Sequence, residues 1–223
     1  IVRQPKAFLM AGRLGPLDAE FRELMCREPR ALHDRIGATT VYVTHDQMEA
    51  MAMADVIAIM NEGVIEQLGA PREVYECPAS VFVADFIGAP AMNFLPFEAA
   101  LAQGEEAIQI GPASLGVPRL HEDVSARALL AGVRPEHVRF ADDSALRAEV
   151  LGTEYLGTRT VVTLATAQGA TIRAKVDAAT PARRGDHVGL AFDAQAGSLF
   201  DAACGRALDT ARNEAMRTGA RHG

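Results

Sequence analysis

The sequence has few cysteines, and none of them form a close pair. Cys26, Cys77 and Cys204 are widely separated among 223 residues, with no CxxC motif. Such a set is typical neither of a disulfide framework nor of a cysteine-based zinc site, and it indicates free thiols in a reducing compartment.

The sequence also lacks a long apolar run and an excess of positive charge. No segment approaches the roughly 18 apolar residues that a helix needs to span a bilayer, so we expect any membrane association to go through a protein partner. Lys and Arg number 22 against 29 Asp and Glu, a formal net charge of −7. This balance gives no support to a nucleic-acid partner, and we predict none.

Residues 1–88 are predicted to alternate strands and helices, which indicates a parallel α/β sheet. Pro29 lies inside the first predicted helix, where it removes a backbone amide and costs about 3 kcal/mol or causes a kink. The predicted strands cover residues 7–10, 39–44 and 56–60, the last of which forms a hairpin with 64–68. The predicted helices cover residues 17–36, 47–54, 71–76 and 80–86.

Residues 89–223 have a different pattern, in which short strand-like runs are separated by turns. We predict a small all-β barrel domain here, an interdomain connection at GAPAMNFLP (88–96), and a tail from Ala207 that frays. The predicted strands are 107–110, 128–133, 138–140, 148–151, 160–164, 171–176 and 187–192.

His45 is the main candidate site residue. It follows an apolar, β-branched strand (39–44) and precedes a helix, and ligands bind at this edge of open α/β sheets. A histidine at this position could also simply cap the following helix. The other histidines, which show no metal-ligand spacing, carry no metal assignment; they are His33, His121, His137, His187 and His222.

The stretch from VYVTHDQMEAM to APAMNFLP, residues 41–96, closely resembles the ATP-binding subunits of ABC importers, in the subgroup that serves maltose, other sugars and glycerol phosphates. LLAGVRPEHVRF and AGSLFDAACGRAL resemble the regulatory domain of that subgroup, a TOBE domain of the OB-like type. The resemblance implies a fold with two parts. Residues 1–88 would be an α/β remnant of a P-loop NTPase core, and residues 89–223 an all-β, OB-like barrel domain.

The resemblance also implies roles for two residues. His45 would contact the γ-phosphate of ATP and stabilise charge there, and Asp18 would lie in the loop that meets the opposing subunit across the nucleotide. It implies ATP and Mg²⁺ as the family's cofactors, permease subunits as partners, and a homodimer or a paired ATPase subunit. The expected location is cytoplasmic, peripheral on the inner face of the bacterial cell membrane.

The sequence departs from this family at the first strand. Where the resemblance leads us to expect Asp-Glu-Pro, the chain has Ala11-Gly12-Arg13, so the carboxylates that hold magnesium and polarise water are absent. The 223 residues contain no GxxxxGK[ST] phosphate loop and no Gly-rich signature. We therefore expect a truncated subunit that does not hydrolyse ATP alone, and the same absences count against ATP binding by this chain alone.

An alternative function is a non-enzymatic, ligand-sensing β-barrel module left from such a subunit. Within that domain, Arg134-Pro135-Glu136-His137 resembles a family motif. We predict that this motif is structural and that it fixes a turn and an ion pair.

Overall fold

The computed structural model describes residues 7–11 and 19–214, with the backbone alone described for residues 11 and 19–26. Within these residues no helix is long and apolar enough to cross a membrane. Three parts follow one another along the chain: an N-terminal segment (described residues 7–69), a helix pair (71–86) and a β module (93–201).

The N-terminal segment contains two separate two-stranded sheets. Its elements are β1 (Ala7–Ala11), α1 (Ala19–Ile36), β2 (Thr39–Val43), α2 (Gln47–Met53), β3 (Ile57–Asn61) and β4 (Val64–Gly69). β1 and β2 pair in parallel, as predicted. β3 and β4 form an antiparallel hairpin of their own, so the parallel sheet does not extend to them.

Two helix features in this segment confirm the sequence prediction. Helix α1 runs through Pro29 without a break. It ends before Gly37, which has φ +65 and donates its amide hydrogen bond to the carbonyl of His33 at 2.8 Å. A glycine with positive φ at this position is a common helix stop.

The helix pair consists of α3 (Pro71–Glu76) and α4 (Val81–Phe86). Helix α3 starts at Pro71, as predicted, and α4 starts one residue later than predicted, because Ser80 caps it through Val83 N. Val74, Val83 and Ile87 pack with Ile57 and Ile59 of β3. The pair therefore covers the inner face of the β3–β4 hairpin.

The β module contains ten antiparallel strands around one apolar core. A five-stranded sheet has the order β12-β11-β10-β13-β9, a three-stranded sheet has the order β14-β8-β5, and β6 and β7 form a hairpin. The strands are β5 (Asn93–Leu101), β6 (Ala107–Ile110), β7 (Ala113–Gly116), β8 (Val124–Val133), β9 (Val138–Phe140), β10 (Arg147–Tyr155), β11 (Arg159–Thr166), β12 (Thr171–Asp177), β13 (His187–Phe192) and β14 (Ser198–Asp201).

The core of the β module follows from the alternating sequence of its strands. In β12, Ile172, Ala174 and Val176 face inward and their neighbours face outward, as expected for a half-buried strand. Each of the seven predicted strands coincides with an observed one, and the prediction of an all-β part is confirmed.

Asn93 joins the two larger sheets. Its Nδ2 donates to the carbonyl of Arg173 at 2.8 Å, and its Oδ1 accepts from Arg173 N at 2.7 Å. The amide side chain thus imitates a neighbouring strand at the edge of β12 and satisfies both backbone groups of Arg173.

The interdomain connection predicted at residues 88–96 differs from the structure. Met92 and Asn93 are buried, and β5 begins at Asn93. The sequence pattern did not predict this strand because Pro96 lies within it. It is tolerated because β5 lies at the edge of its sheet, where a missing amide breaks no ladder bond.

The tail also differs from the prediction. Residues 207–214 do not fray: Leu208 and Thr210 are buried, and Ala207 N and Ala211 N donate to the carbonyls of Ala79 and Arg119. The segment is held because its backbone groups find partners on both the helix pair and the β module. Residues 215–223 lie outside the described residues.

Candidate functional site

The carboxyl ends of β1 and β2 meet at one edge of their sheet, because the strands are parallel and Ala11 lies opposite Val43. His45 follows β2 by two residues and lies in the turn that leads into α2. The structure therefore places His45 at the sheet edge that α/β proteins use for ligands.

Asp46, the next residue, caps helix α2. Its side chain accepts hydrogen bonds from Met48 N at 2.8 Å and Glu49 N at 3.3 Å. The alternative in which His45 caps this helix is wrong, because Asp46 already satisfies the first free amides.

Glu49 fixes the geometry of the turn from within. It is 1% exposed, and its Oε2 accepts from the hydroxyl of Thr44 at 2.6 Å and of Tyr42 at 3.1 Å. The hydroxyl of Thr44 in turn accepts from Asp46 N at 2.9 Å. A buried carboxylate that accepts two hydroxyl hydrogen bonds holds the end of β2 against the first turn of α2.

The sequence interpretation missed Glu49, although a signal for it exists. Asp46 and Glu49 have the spacing of a capping box, in which the glutamate three residues on bonds the amide of the cap residue. Here the hydroxyl of Thr44 mediates between the two residues, because it accepts from the amide of Asp46 and donates to Glu49. The pattern thus predicts the two polar residues but not the third.

His45 itself takes no part in this network. It is exposed, and within the described residues its side chain has no hydrogen bond or ion pair. Its neighbours on both sides are held, so His45 is presented on a rigid turn, as a group that acts on a ligand must be.

Helix α1 is anchored to the other end of α2. Arg30 donates to the carbonyl of Met53 at 3.0 Å and to Asp55 at 2.7 Å, and lies 3.1 Å from Asp34. The hydrogen bond from Arg30 lowers the pKa of Asp55. His33 adds a hydrogen bond to Thr40 of β2 at 3.2 Å.

Asp18, predicted to lie at the nucleotide and dimer interface, falls outside the described residues, as do Gly12 and Arg13. In the part of the chain that the structure describes, no group of three or more His, Cys, Asp or Glu could hold a metal ion. Ala11 ends β1 where the resemblance implies a magnesium-holding aspartate. The side chain of alanine offers no oxygen, so the strand ends described here do not fit the ion.

Arg134 forms a second polar cluster, between the β module and the helix pair. It is 0% exposed and donates to the carbonyls of Ala84 at 3.0 Å, Tyr75 at 2.7 Å and Ile87. Its guanidinium also lies 4.2 Å from the centre of the Tyr75 ring, in cation–π geometry. Burial lowers the pKa of Arg134.

The ion pair predicted in the Arg134–His137 motif is wrong. Among the described residues no salt bridge involves Arg134, and Glu136 instead accepts from the hydroxyl of Tyr75 at 2.6 Å. Burial, followed by this hydrogen bond, raises the pKa of Tyr75 to about 12. Arg134 binds carbonyls at the carboxyl ends of α3 and α4, where the last carbonyls of a helix have no partner within the helix.

Comparison with known proteins defines the class of the β module first. Residues 131–200 match the family described as "TOBE domain". A solved structure of the cytoplasmic molybdate-binding protein ModG is similar to this chain with a TM-score of 0.41 at 18% identity, covering 51% of this chain and 96% of that one.

Curated relatives then extend the similarity to the N-terminal segment. The sn-glycerol-3-phosphate import ATP-binding protein UgpC of Chromobacterium violaceum is 45% identical over 144 residues, 64% of this chain and 38% of the relative. The oligosaccharides import ATP-binding protein MsmX of Bacillus subtilis is 38% identical over 210 residues, 88% of this chain and 56% of the relative. The chain thus spans about half, or less, of the length of these relatives.

These matches confirm the resemblance found in the sequence. The chain carries a TOBE domain and is related, over its matched length, to the ATP-binding subunits of importers for sugars and glycerol phosphate.

Proposed function

We propose that this chain is part of the ATP-binding subunit of an ABC importer for a sugar or a glycerol-phosphate-like solute. The observation that carries the proposal is the turn that presents His45. Thr44, Asp46 and Glu49 fix this turn, and His45 is left exposed at the carboxyl edge of a parallel sheet. The match to the oligosaccharides import ATP-binding protein MsmX covers 88% of the chain and therefore includes this region.

In this function His45 contacts the terminal phosphate of ATP. A histidine donor at that position stabilises the charge that develops during phosphoryl transfer. Asp18 lies at the interface with the opposing ATPase subunit. The chain would bind permease subunits at the cytoplasmic face of the membrane.

ATP and Mg²⁺ are the cofactors that this function requires. Ala11 replaces a magnesium ligand at the end of β1, so we assign no step through the metal to this chain. We propose that the chain does not hydrolyse ATP by itself.

A second candidate function is a non-enzymatic, ligand-sensing β module. It is favoured by the contrast between the module, whose core is built from its own strands, and the sheet edge at Ala11, which lacks the catalytic carboxylates.

A chimeric protein distinguishes the two functions. The residues of Chromobacterium violaceum UgpC that precede the matched region are fused to this chain, with and without Ala11→Asp and Gly12→Glu. We expect ATP hydrolysis only when both carboxylates are restored. His45→Ala should then lower the rate about 100-fold or more, the usual loss when a charge-stabilising donor is removed.

His187→Ala is the matched control, because His187 is an exposed histidine on β13 in the β module. Its rate should equal that of the restored chimera. A restored chimera that folds but does not hydrolyse ATP, or one in which both histidine variants behave alike, would favour the ligand-sensing module.

A further inference from the structure

A hydrogen bond links the start of α2 to the connection that follows α4. The side-chain Oε1 of Gln47 accepts from the backbone amide of Gly88 at 2.7 Å. Gln47 is the first residue of α2 and follows His45 and Asp46 directly. The bond therefore ties the turn that presents His45 to a point 41 residues further along the chain.

Gly88 occupies a position that allows no side chain. Its φ is +121, and a Cβ there would lie 2.9 Å from Nη1 of Arg134 and 3.1 Å from the carbonyl oxygen of Pro90. Only glycine adopts this backbone region without strain. The backbone of Gly88, whose amide donates to Gln47, therefore lies directly against the guanidinium group of Arg134.

Arg134 belongs to the β module, directly after β8, and holds the carboxyl end of α4 through the carbonyls of Ala84 and Ile87. A continuous path results. It runs from the β module through Arg134, Ile87 and Gly88 to the side chain of Gln47, and from there along the backbone to His45.

We propose that Gln47 is a positioning residue that transmits the position of the β module to His45. A displacement of Arg134 moves the end of α4, and Gln47 passes this movement to the first turn of α2. The link is a property of the described structure, and only the significance of moving His45 rests on the proposed function. A ligand or partner that shifts the β module would thereby change where His45 points.

Two variants of the full chain separate the hydrogen bond from packing. Gln47→Met keeps the length of the side chain and removes the acceptor, whereas Gln47→Glu keeps an acceptor oxygen for Gly88 N. We expect hydrogen exchange of the Gly88 amide to accelerate roughly three- to tenfold in Gln47→Met, the factor that one hydrogen bond is worth. In Gln47→Glu it should stay near the original rate.

The transmission is measured by NMR on histidine-labelled protein, with the His45 ring signals assigned from the His45→Ala spectrum. A remote change, Arg134→Lys, keeps the charge and alters the hydrogen bonds at the end of α4. We expect it to shift the His45 signals in the original chain and in Gln47→Glu, and to leave them unchanged in Gln47→Met. Arg139→Lys, at an exposed arginine of β9, is the control and should shift nothing in any background.

Equal shifts of the His45 signals in all three backgrounds would overturn the proposal, as would no shift in the original chain. If Arg134→Lys does not fold, the proposal is tested with the two Gln47 variants alone. The measurements are then the hydrogen exchange of the Gly88 amide and the NMR signals of His45 in each variant. Identical His45 signals in Gln47→Met and Gln47→Glu then count against the link. The link can hold while the restored chimera is inactive, and it can fail while that chimera requires His45, so the two proposals stand or fall separately.

Discussion

The β1–β2 sheet and the β module contain strands of similar composition with opposite burial. On one face of the β1–β2 sheet, Leu9, Val41 and Val43 are 79%, 50% and 58% exposed. In the β module, Val162 and Leu164 of β11 are fully buried. Apolar, β-branched residues therefore do not by themselves close a core.

The difference lies in what covers each sheet. The other face of the β1–β2 sheet meets α1 through the His33–Thr40 bond and α2 through the Tyr42–Glu49 bond. Among the described residues, both helices thus contact the same side of this sheet. Parallel sheets are normally covered on both sides. The β module packs its sheets against one another around a shared core, so every strand has an inner face that is covered.

The largest effect is expected from Gly189→Ala, which tests whether one added methyl group is enough to destabilise the β module. A Cβ at this position would lie 2.0 Å from the carbonyl oxygen of Ala141. Both groups belong to the backbone, so neither can move without breaking the pairing between β13 and residue 141. We expect a loss of about 4 kcal/mol in the free energy of unfolding.

Urea unfolding with peptide-resolved hydrogen exchange measures this loss region by region. Gly152→Ala is the matched control, since a Cβ there meets nothing within 4 Å, and should change stability by less than about 0.5 kcal/mol. Equal unfolding midpoints for the two variants would show that the module is not tightly packed at residue 189.

Arg134→Met tests whether the helix pair follows the β module or the N-terminal segment. The variant removes the Arg134 donor from the carbonyls of Tyr75, Ala84 and Ile87, of which Ala84 keeps a longer bond from Met92 N at 3.4 Å. We expect the pair to lose about 3 kcal/mol, because buried acceptors without partners are costly. Hydrogen exchange in residues 71–88 measures it.

Arg139→Met, at an exposed arginine of the same module, is the control and should unfold like the original chain. Unchanged protection of residues 71–88 in Arg134→Met would mean that packing against β3 holds the helix pair instead.

Asn93→Ala tests how the two larger sheets of the β module stay together. Both backbone groups of Arg173 lose their partner, so we expect a loss of about 2 kcal/mol. The measurement is the urea midpoint together with amide exchange at Arg173. An unchanged exchange rate at Arg173 would show that packing in the core, and not the Asn93 side chain, holds the edge of β12 in place.

Pro29→Ala tests the N-terminal segment, and we expect it to stabilise helix α1. In a helix interior, alanine is more favourable than proline by about 3 kcal/mol. Part of this gain is lost because proline also restricts the unfolded chain. We expect about 1 kcal/mol, visible as slower amide exchange in α1 and not in the β module. Faster exchange in α1 would contradict a cost of Pro29 to this helix.

The smallest effect concerns alkaline pH and Tyr75. The pKa of Tyr75 is raised to about 12 in the folded chain, against about 10 for an ordinary tyrosine. The native state therefore holds this proton more tightly. Its contribution to stability is complete below pH 10 and is lost as the pH rises from about 10 to 12.

Tyr75→Phe isolates this contribution. The difference in urea midpoint between the original chain and the variant should be constant up to pH 10 and should shift against the original chain above it. Absorbance at 295 nm should show one tyrosine of the original chain ionising late, and that late step should be absent from the variant. A constant difference in midpoint through pH 12 would mean that Tyr75 ionises normally.

The sequence alone predicted the elements whose signals are local. The pairing of β1 with β2 followed from apolar runs that alternate with a helix, and the β3–β4 hairpin from two strand-like runs separated by a short turn. The seven predicted strands of the β module followed from short strand-like runs between turns. His45 was singled out because it directly follows an apolar predicted strand (39–44). The related sequences also determined the class of the chain, since such similarity does not depend on contacts.

Only the tertiary structure decided which polar groups meet. Glu49 is buried where the hydroxyls of Tyr42 in β2 and Thr44 just after it donate to its carboxyl group. Arg134 is buried where α3 and α4 bring three carbonyls to it. The half-buried Gln47 meets the amide of Gly88. The pairs Gln47–Gly88 and Arg134–Tyr75 are 41 and 59 residues apart, and contacts over such separations leave no periodic trace in the sequence. From the sequence alone, a charged or amide side chain is predicted to lie on the surface. Its burial cannot be foreseen because burying it is favourable only when the fold supplies a hydrogen-bonding partner.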